Sequence, residues 1–259
     1  MEMRNMFNKT LLATAISSAL LTGAALVQAQ EKDDLDVASG DGFTISGNVA
    51  LTSDYRFRGI SQSDESAAIQ GGFDAEFGPG FYIGTWGSSV DFDCNDECGG
   101  YDGSLELDYY AGWSSAIGDT DFGIDVGYIY YDYPGDNGDE GDYGEVYVAG
   151  SWKDLSISVN YSDDYYGGTG KFFYYAADYS LGLGHNFALD FHVGYNDFDE
   201  NGFLSSEEDT YTDYSVALTY SVAGVDLSVA YVGTDLDDND AWGTDWADDT
   251  AVFTISKSM

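Results

Sequence analysis

The chain has 259 residues, of which 47 are acidic and 8 are basic, so its formal net charge at pH 7 is −39. Such a charge repels the phosphate backbone of nucleic acids, which excludes nucleic-acid binding. Aromatic residues make up 16% of the chain, and this content excludes the charged, aromatic-poor type of disordered protein. With 33 glycines and 2 prolines, the composition favours extended strands joined by flexible turns.

The N-terminus has the organisation of a secretory signal peptide. Arg4 and Lys9 precede an uncharged apolar run over 11–27, and Ala29 ends a small-x-small cleavage site. A membrane anchor is the less favoured alternative, because no other apolar run approaches the length of a spanning helix. The sequence therefore predicts three parts: a signal peptide at 1–29, a periplasmic N-terminal segment at 30–42, and a folded domain at 43–259.

After this leader, apolar and polar residues alternate with the period of two that is typical of β-strands. The first segment, 43–58, places Phe43 and every second residue to Phe57 on an apolar face, and Thr44 to Arg58 on a polar face. Eleven further segments follow, at 67–77, 81–92, 104–113, 122–132, 144–152, 155–162, 171–181, 187–197, 211–222, 225–232 and 250–258. An even strand number is typical of bacterial outer-membrane barrels.

Alternation alone also fits a soluble sandwich or a lipocalin-like barrel, so the connections between the segments decide between these folds. Short connections, such as 78–80 and 153–154, alternate with longer ones, such as 93–103 and 133–143. This asymmetry is typical of short periplasmic turns and long extracellular loops. The sequence therefore predicts an all-β protein, a transmembrane antiparallel up-and-down β-barrel of twelve strands that contacts outer-membrane lipid. It predicts no oligomeric state.

Aromatic residues recur towards the ends of the predicted apolar stripes, as the interfacial girdles of membrane barrels do. The predicted girdle residues are Tyr55, Phe57, Tyr82, Phe92, Trp113, Tyr130, Trp152, Tyr161, Tyr179, Tyr195, Tyr214 and Tyr231.

Three stretches carry a resemblance to a known family. Residues 47–92, GNVALTSDYRFRGISQSDESAAIQGGFDAEFGPGFYIGTWGSSVDF, resemble the opening of the proteobacterial Gcw_chp family, also known as TorF-family porins. GYIYYDYPG at 127–135 and EVYV at 145–148 are similar to the middle motifs of that family. The resemblance implies an outer-membrane barrel with a porin role, and it supplies no catalytic residues.

The polar phase of the strands defines the predicted lumen. Its acidic residues include Asp54, Asp74, Glu76, Glu106, Asp108, Asp125, Glu145 and Asp190. Arg56 and Arg58, at the extracellular end of strand one, place positive charge among these acids. One interpretation is a constriction that pairs with acids such as Asp74 and orients a solute. The favoured interpretation is structural, with the guanidinium groups neutralising crowded carboxylates.

Twelve strands lie between the eight-stranded barrels that side chains fill and the 16–18-stranded porins with wide lumens. The sequence therefore predicts a passive channel for small solutes, in which the inward acids favour cations. The alternative is a non-conducting surface or structural barrel whose acidic loops bind divalent cations or partners. No enzyme is expected, because His185 lies in a turn and His192, on the polar face, is favoured as a hydrogen-bonded lumen residue over a catalytic base.

Cys94 and Cys98 lie close together in the second predicted long loop. The oxidising periplasm and cell surface favour a small loop disulfide. Metal binding by the pair is less favoured, because no histidine or further cysteine lies nearby to complete a site.

The segment 197–208 matches the calcium-loop pattern D-x-[DN]-x-[DN]-G-x5-E. The candidate ligands are the side chains of Asp197, Asp199, Asn201, Ser205 and Glu208 and the backbone carbonyl of Phe203. The flanks are predicted strands rather than helices, so a solvated acidic loop remains the alternative. The Asp-rich segment 233–249 has no comparable spacing. No cofactor is required, and Ca²⁺ is the candidate ion.

Overall fold

Strands with one apolar and one polar face bury the polar face when the sheet closes on itself. A computed structural model describes residues 38–40, 42–92, 103–135, 141–199 and 203–259. It contains twelve long antiparallel strands: β1 (Phe43–Thr52), β2 (Ala68–Phe77), β3 (Phe81–Ser89), β4 (Leu105–Ala116), β5 (Phe122–Asp132), β6 (Tyr143–Trp152), β7 (Leu155–Ser162), β8 (Phe172–Gly184), β9 (Phe187–Phe198), β10 (Thr210–Val222), β11 (Val225–Thr234) and β12 (Thr250–Ser258). The predicted signal peptide and the pair Cys94 and Cys98 lie outside the described residues.

Each strand pairs with its neighbours in the chain, and β1 pairs with β12 to close the ring. The predicted twelve-stranded up-and-down barrel is therefore confirmed. The strand Ala38–Gly40 pairs with residues 43–45 at the start of β1, on the side of β1 where β12 pairs with residues 48–52. The described part of the chain also holds a short 3-10 helix, Tyr166–Gly168, and no described helix is long and apolar enough to cross a membrane.

The connections differ in length between the two ends of the barrel. At one end they are short, at 78–80, 117–121, 153–154, 185–186 and 223–224. At the other end they are longer, at 53–67, 90–104, 133–142, 163–171, 199–209 and 235–249. These two ends are termed the turn end and the loop end.

The outer face of the barrel is apolar and banded. Aliphatic side chains such as Val148, Val193 and Val229 are exposed at mid-height. Exposed aromatic side chains lie towards both ends of the strands: Phe77, Phe81, Phe122, Trp152, Tyr179 and Phe187 at the turn end, and Tyr109, Tyr130, Tyr175, Tyr195 and Tyr231 at the loop end. An apolar band between two aromatic belts is the surface that a lipid bilayer requires.

Replacing Val193 with arginine should destabilise the barrel, because this side chain faces outward in the middle of β9 and is 48% exposed. An arginine at the bilayer midplane costs about 2–4 kcal/mol. Urea unfolding of the protein refolded into lipid vesicles measures the loss. The control is Asp163→Arg, at an exposed position of the 163–171 connection, which should change stability by no more than about 0.5 kcal/mol. Equal losses at both positions would contradict a lipid-facing β9.

The prediction that strand one runs on to Arg58 is wrong. β1 ends at Thr52, and Arg56–Phe57 pairs with Ile60–Ser61 in a separate hairpin. Its two turn residues, Arg58 and Gly59, have φ of 50° and 84°, as a two-residue hairpin turn requires. A side chain at Gly59 would also collide with Thr234, so glycine is needed there for both reasons.

The predicted phase of β3 is also wrong. Tyr82 and Trp86 are buried in the interior, whereas Phe81 and Ile83 face outward and are 47% and 51% exposed. Both faces of this strand are apolar in sequence, so alternation cannot distinguish them. The interior accepts Tyr82 because its hydroxyl donates to Asp125 Oδ1 at 2.6 Å. Four residues predicted to form lipid-facing girdles lie inside instead: Tyr55 and Tyr82 are buried, and Phe57 and Phe92 pack against the interior aromatic cluster.

Candidate functional site

Residues 53–67, termed the lumen loop, fold into the loop end of the barrel. In a closed ring of twelve strands, β6 to β8 lie across from β1, and the lumen loop reaches this opposite wall. The Tyr55 hydroxyl donates to Glu106 Oε1 on β4 at 2.8 Å, and the Tyr211 hydroxyl on β10 donates to the carbonyl of Arg58 at 3.1 Å. The ring of Phe57 packs edge-on against Tyr131 on β5, with centroids 5.7 Å apart. The lumen loop therefore crosses the interior.

The guanidinium of Arg58 lies at the end of this crossing. Its Nη1 and Nη2 donate to the two carboxylate oxygens of Glu145 on β6, each at 2.8 Å. Asn160 on β7 donates from Nδ2 to Glu145 Oε2 at 2.9 Å. Arg58 is 4% exposed and Glu145 is 0% exposed, so the pair is bidentate and removed from water.

Four aromatic rings surround the same guanidinium and are termed the aromatic cage: Phe57, Tyr165, Phe172 and Tyr174. The distances from Arg58 Cζ to the ring centroids are 4.6, 5.9, 4.7 and 4.3 Å, in that order. Burial alone would lower the pKa of Arg58, but the neighbouring Glu145 carboxylate raises that pKa well above its ordinary value. The site therefore holds a permanent, desolvated cation between ring faces and a carboxylate.

The side chain of Arg56 binds groups within the lumen loop and in the 235–249 connection. Its Nε donates to Asp54 Oδ2 at 2.5 Å and its Nη2 to Glu65 Oε1 at 3.0 Å. Its Nη1 donates to the backbone carbonyls of Trp246 and Asp248 at 2.5 and 3.1 Å, which ties the lumen loop to the 235–249 connection. Asp74, predicted from the sequence as an example of an acid that pairs with the two arginines, binds neither of them. It accepts a hydrogen bond from the Tyr110 hydroxyl at 2.5 Å.

The predicted lumen acids differ in burial and in partners. Asp54, Glu106, Asp108, Asp125, Glu145 and Asp190 are buried, and Asp74 and Glu76 are half-buried. Ser180 donates to one oxygen of Asp190 at 2.6 Å. Within the described part of the chain, one buried oxygen each of Asp108, Asp125 and Asp190 has no hydrogen-bond partner. The interior therefore contains carboxylate oxygens that no basic group neutralises.

His192 bridges two aspartates in the barrel interior, an arrangement that the sequence did not predict. His192 Nδ1 lies 2.7 Å from Asp178 Oδ1, and His192 Nε2 lies 2.9 Å from Asp213 Oδ1. The Tyr174 hydroxyl lies 2.9 Å from the same Nε2. The alternating phase predicted that His192 faces the interior, but its partners lie on β8 and β10, and pairing register is not legible in one sequence.

The described residues of the predicted calcium loop dock against the neighbouring connection. Ser205 Oγ donates to the carbonyl of Asn239 at 2.7 Å and accepts from the backbone N–H of Trp242 at 2.7 Å. Asp199 pairs with Lys171 at 3.4 Å. The ring of Phe203 packs against those of Tyr165 and Phe198, with centroids 5.1 Å apart in each pair. Glu208 is exposed at the surface, and Asn201 lies outside the described residues. The calcium site on 197–208 stays a prediction.

A different acidic group assembles in the connection 235–249. Carboxylate oxygens of Asp238, Asp245 and Asp248 all lie within 4.8 Å of one another at the exposed rim. The spacing of these residues in sequence gave no sign of this, because the turns of the connection bring them together.

A closed sheet with aromatic belts outside and charged groups inside defines a transmembrane β-barrel. A model of a bacterial family of unknown function, Gcw_chp, matches residues 36–259, and the chain belongs to this family. Among solved structures, the fold is similar to that of the KdgM porin, at 11% identity and a TM-score of 0.50 over 82% of this chain and 97% of that one. It is also similar to the NanC porin, at 11% identity and a TM-score of 0.51 over the same shares of both chains. A comparison with curated proteins gives no match.

Proposed function

We propose that the protein is an outer-membrane channel for the passive diffusion of small solutes, with a preference for cations. The observation that carries the proposal is the charge of the interior, where the carboxylates outnumber the basic groups Arg56, Arg58 and His192. Both arginines are occupied by carboxylates of their own, so the remaining acids set the field along the path. The fold shared with two proteins described as porins supports the channel role.

The lumen loop occupies part of the interior at the loop end of this channel. From mid-height towards the turn end, many of the interior side chains on β6 to β8, β10 and β11 are small, whereas the larger Tyr82, Tyr110 and Tyr147 lie inside on β3, β4 and β6. The small residues are Ala149, Ser158, Ala176, Ser215, Ala217, Thr219 and Ala230. Small polar and apolar side chains are what a narrow path needs, because larger ones fill a barrel of this size. We therefore expect displacement of the lumen loop to widen the path.

Planar-bilayer recordings across a KCl gradient should give a reversal potential of the sign that cation preference produces. Replacing Asp125 and Asp190 with asparagine should move that potential towards zero, because both residues place buried carboxylates in the interior. Asp163→Asn, at an exposed loop position, is the matched control and should leave it unchanged. Anion preference in the unmodified channel would overturn the proposal, as would silence of both this channel and one with a shortened lumen loop.

A non-conducting barrel whose rim binds divalent cations is the second candidate. The cluster of Asp238, Asp245 and Asp248 favours it, and the 197–208 pattern is the other candidate site. Calcium at ten times its Kd should stabilise the folded barrel by about 1.4 kcal/mol, measured as thermal protection of the refolded protein.

Two variants locate the ion. Loss of the increment in Asp197→Ala with Glu208→Ala would assign it to 197–208, and loss in Asp238→Asn with Asp245→Asn would assign it to the second cluster. Equal protection of both variants and of the unmodified protein would show that the rim acids only screen one another and that neither site exists.

A further inference from the structure

The groups that hold the guanidinium of Arg58 belong to two different parts of the molecule. Glu145, Phe172 and Tyr174 project from β6 and β8 and therefore belong to the barrel wall. Asn160, also on the wall, orients the Glu145 carboxylate by its hydrogen bond. Arg58 comes from the lumen loop. The wall therefore carries a carboxylate and two of the four rings that hold a planar cation, whereas Phe57 comes from the lumen loop itself and Tyr165 from the 163–171 connection.

The receptor is specific in its chemistry. Any cation would neutralise Glu145, but two parallel N–H···O bonds of 2.8 Å require the flat fork of a guanidinium. The ring faces of Tyr174, Phe57 and Phe172 lie 4.3 to 4.7 Å from the guanidinium carbon, a stacking that favours a delocalised planar ion over a strongly hydrated ammonium. A purely neutralising role would need none of this shape.

The occupant is held in a conformation that its backbone disfavours. Arg58 has φ of 50°, in the left-handed region that residues other than glycine rarely adopt. Besides the contacts of its side chain, Arg58 accepts a hydrogen bond from the Tyr211 hydroxyl at its backbone carbonyl. The contacts of the side chain therefore stabilise the turn, and a competitor that takes those contacts frees the turn to relax.

We propose that Glu145 and the wall rings Phe172 and Tyr174 form the solute-recognition site of the channel, that the site selects cations bearing a guanidinium group, and that Arg58 is a tethered occupant which such a solute displaces. This inference rests on the proposed function and names its solute class. Displacement of Arg58 would break the side-chain contacts of the lumen loop with β6 and β8 and so weaken its attachment to the opposite wall, while the bonds of Tyr55 and Arg56 remain.

The first test is chemical rescue of Arg58→Ala, which empties the cage. The variant should lose thermal stability, and ethylguanidinium chloride at about 10 mM, far below denaturing concentrations, should restore more than half of the loss. Ethylammonium chloride, with the same charge and a similar size, should restore little. In Arg58→Ala with Glu145→Gln, which keeps the shape but removes the charge, ethylguanidinium should restore nothing.

If Arg58→Ala does not fold unaided, its refolding yield with each salt, read as heat-modifiable gel mobility, is the same test. Rescue by ethylguanidinium alone supports the site. Equal rescue by both salts, rescue that survives Glu145→Gln, or no rescue by either salt overturns it.

The second test uses the unmodified channel and separates this inference from the proposed function. In planar bilayers, the permeability of guanidinium relative to K⁺ should exceed the ratio of their mobilities in water, and Glu145→Gln should abolish the excess. A channel that prefers cations without any excess for guanidinium overturns the site and leaves the proposed function standing. A barrel that conducts nothing with its lumen loop shortened overturns both.

Discussion

Replacing Glu145 with alanine should lower the free energy of unfolding by about 3–5 kcal/mol, because it leaves the Arg58 guanidinium buried without its counter-ion. Arg58 and Glu145 are 4% and 0% exposed and share two hydrogen bonds of 2.8 Å. Water does not reach this pair, so it cannot replace the carboxylate as the partner of the guanidinium. Asn160 would lose its acceptor as well. Urea unfolding of the barrel refolded into lipid vesicles, followed by tryptophan fluorescence, measures the loss.

Two further variants interpret that result. Glu208→Ala removes an exposed carboxylate and should change stability by no more than about 0.5 kcal/mol. Arg58→Met combined with Glu145→Leu replaces the whole ion pair with apolar groups of similar volume and should recover most of the stability that Glu145→Ala loses. A loss below about 1 kcal/mol for Glu145→Ala, as exposed ion pairs give, would contradict the desolvated pair.

Shortening the lumen loop should raise the single-channel conductance several-fold. Replacing 54–66 with a short glycine-serine turn removes the segment that crosses from β1 to the opposite wall, together with its contacts to Glu106, Tyr131 and Glu145. Water then enters the loop end and solvates the carboxylates that the segment had covered. Heat-modifiable mobility on gels establishes that the shortened chain still forms a barrel, and planar-bilayer recordings give the conductance. An unchanged conductance in a folded variant would show that the lumen loop does not obstruct the path.

The strand number and the lipid-facing surface were predictable because a bilayer imposes one rule on every strand. An outward charge is costly at each position, so alternation persists along the whole chain and defines twelve strands. The prediction fails where this rule does not discriminate. On β3, Phe81 and Tyr82 are both acceptable to lipid, and only the acceptor on Asp125 shows that Tyr82 faces inward.

The site was less predictable because its contacts join distant parts of the chain. The polar phase placed Arg58 among inward acids, but Glu145 lies 87 residues further on, and many other carboxylates were equally plausible partners. Alternation predicts that strand one continues to Arg58, and arginine gives no sign of a turn there, because it is an uncommon residue at positive φ. The two-residue hairpin requires the positive φ of Arg58, and the tertiary contacts of the side chain stabilise a conformation that arginine locally disfavours.

The lumen loop also has a consequence for the order in which the protein folds. It belongs to the first hairpin of the barrel, β1 to β2, yet its partners lie on β4, β5, β6 and β10, and the ring closes only when β12 meets β1. The segment must enter the curving sheet before this final pairing, or thread into a finished ring. Docking early would shorten the effective loop that separates β1 from β12 and so lower the entropic cost of closure. The lumen loop, which lies inside the mature pore, would thus serve during assembly as an internal support around which the sheet closes.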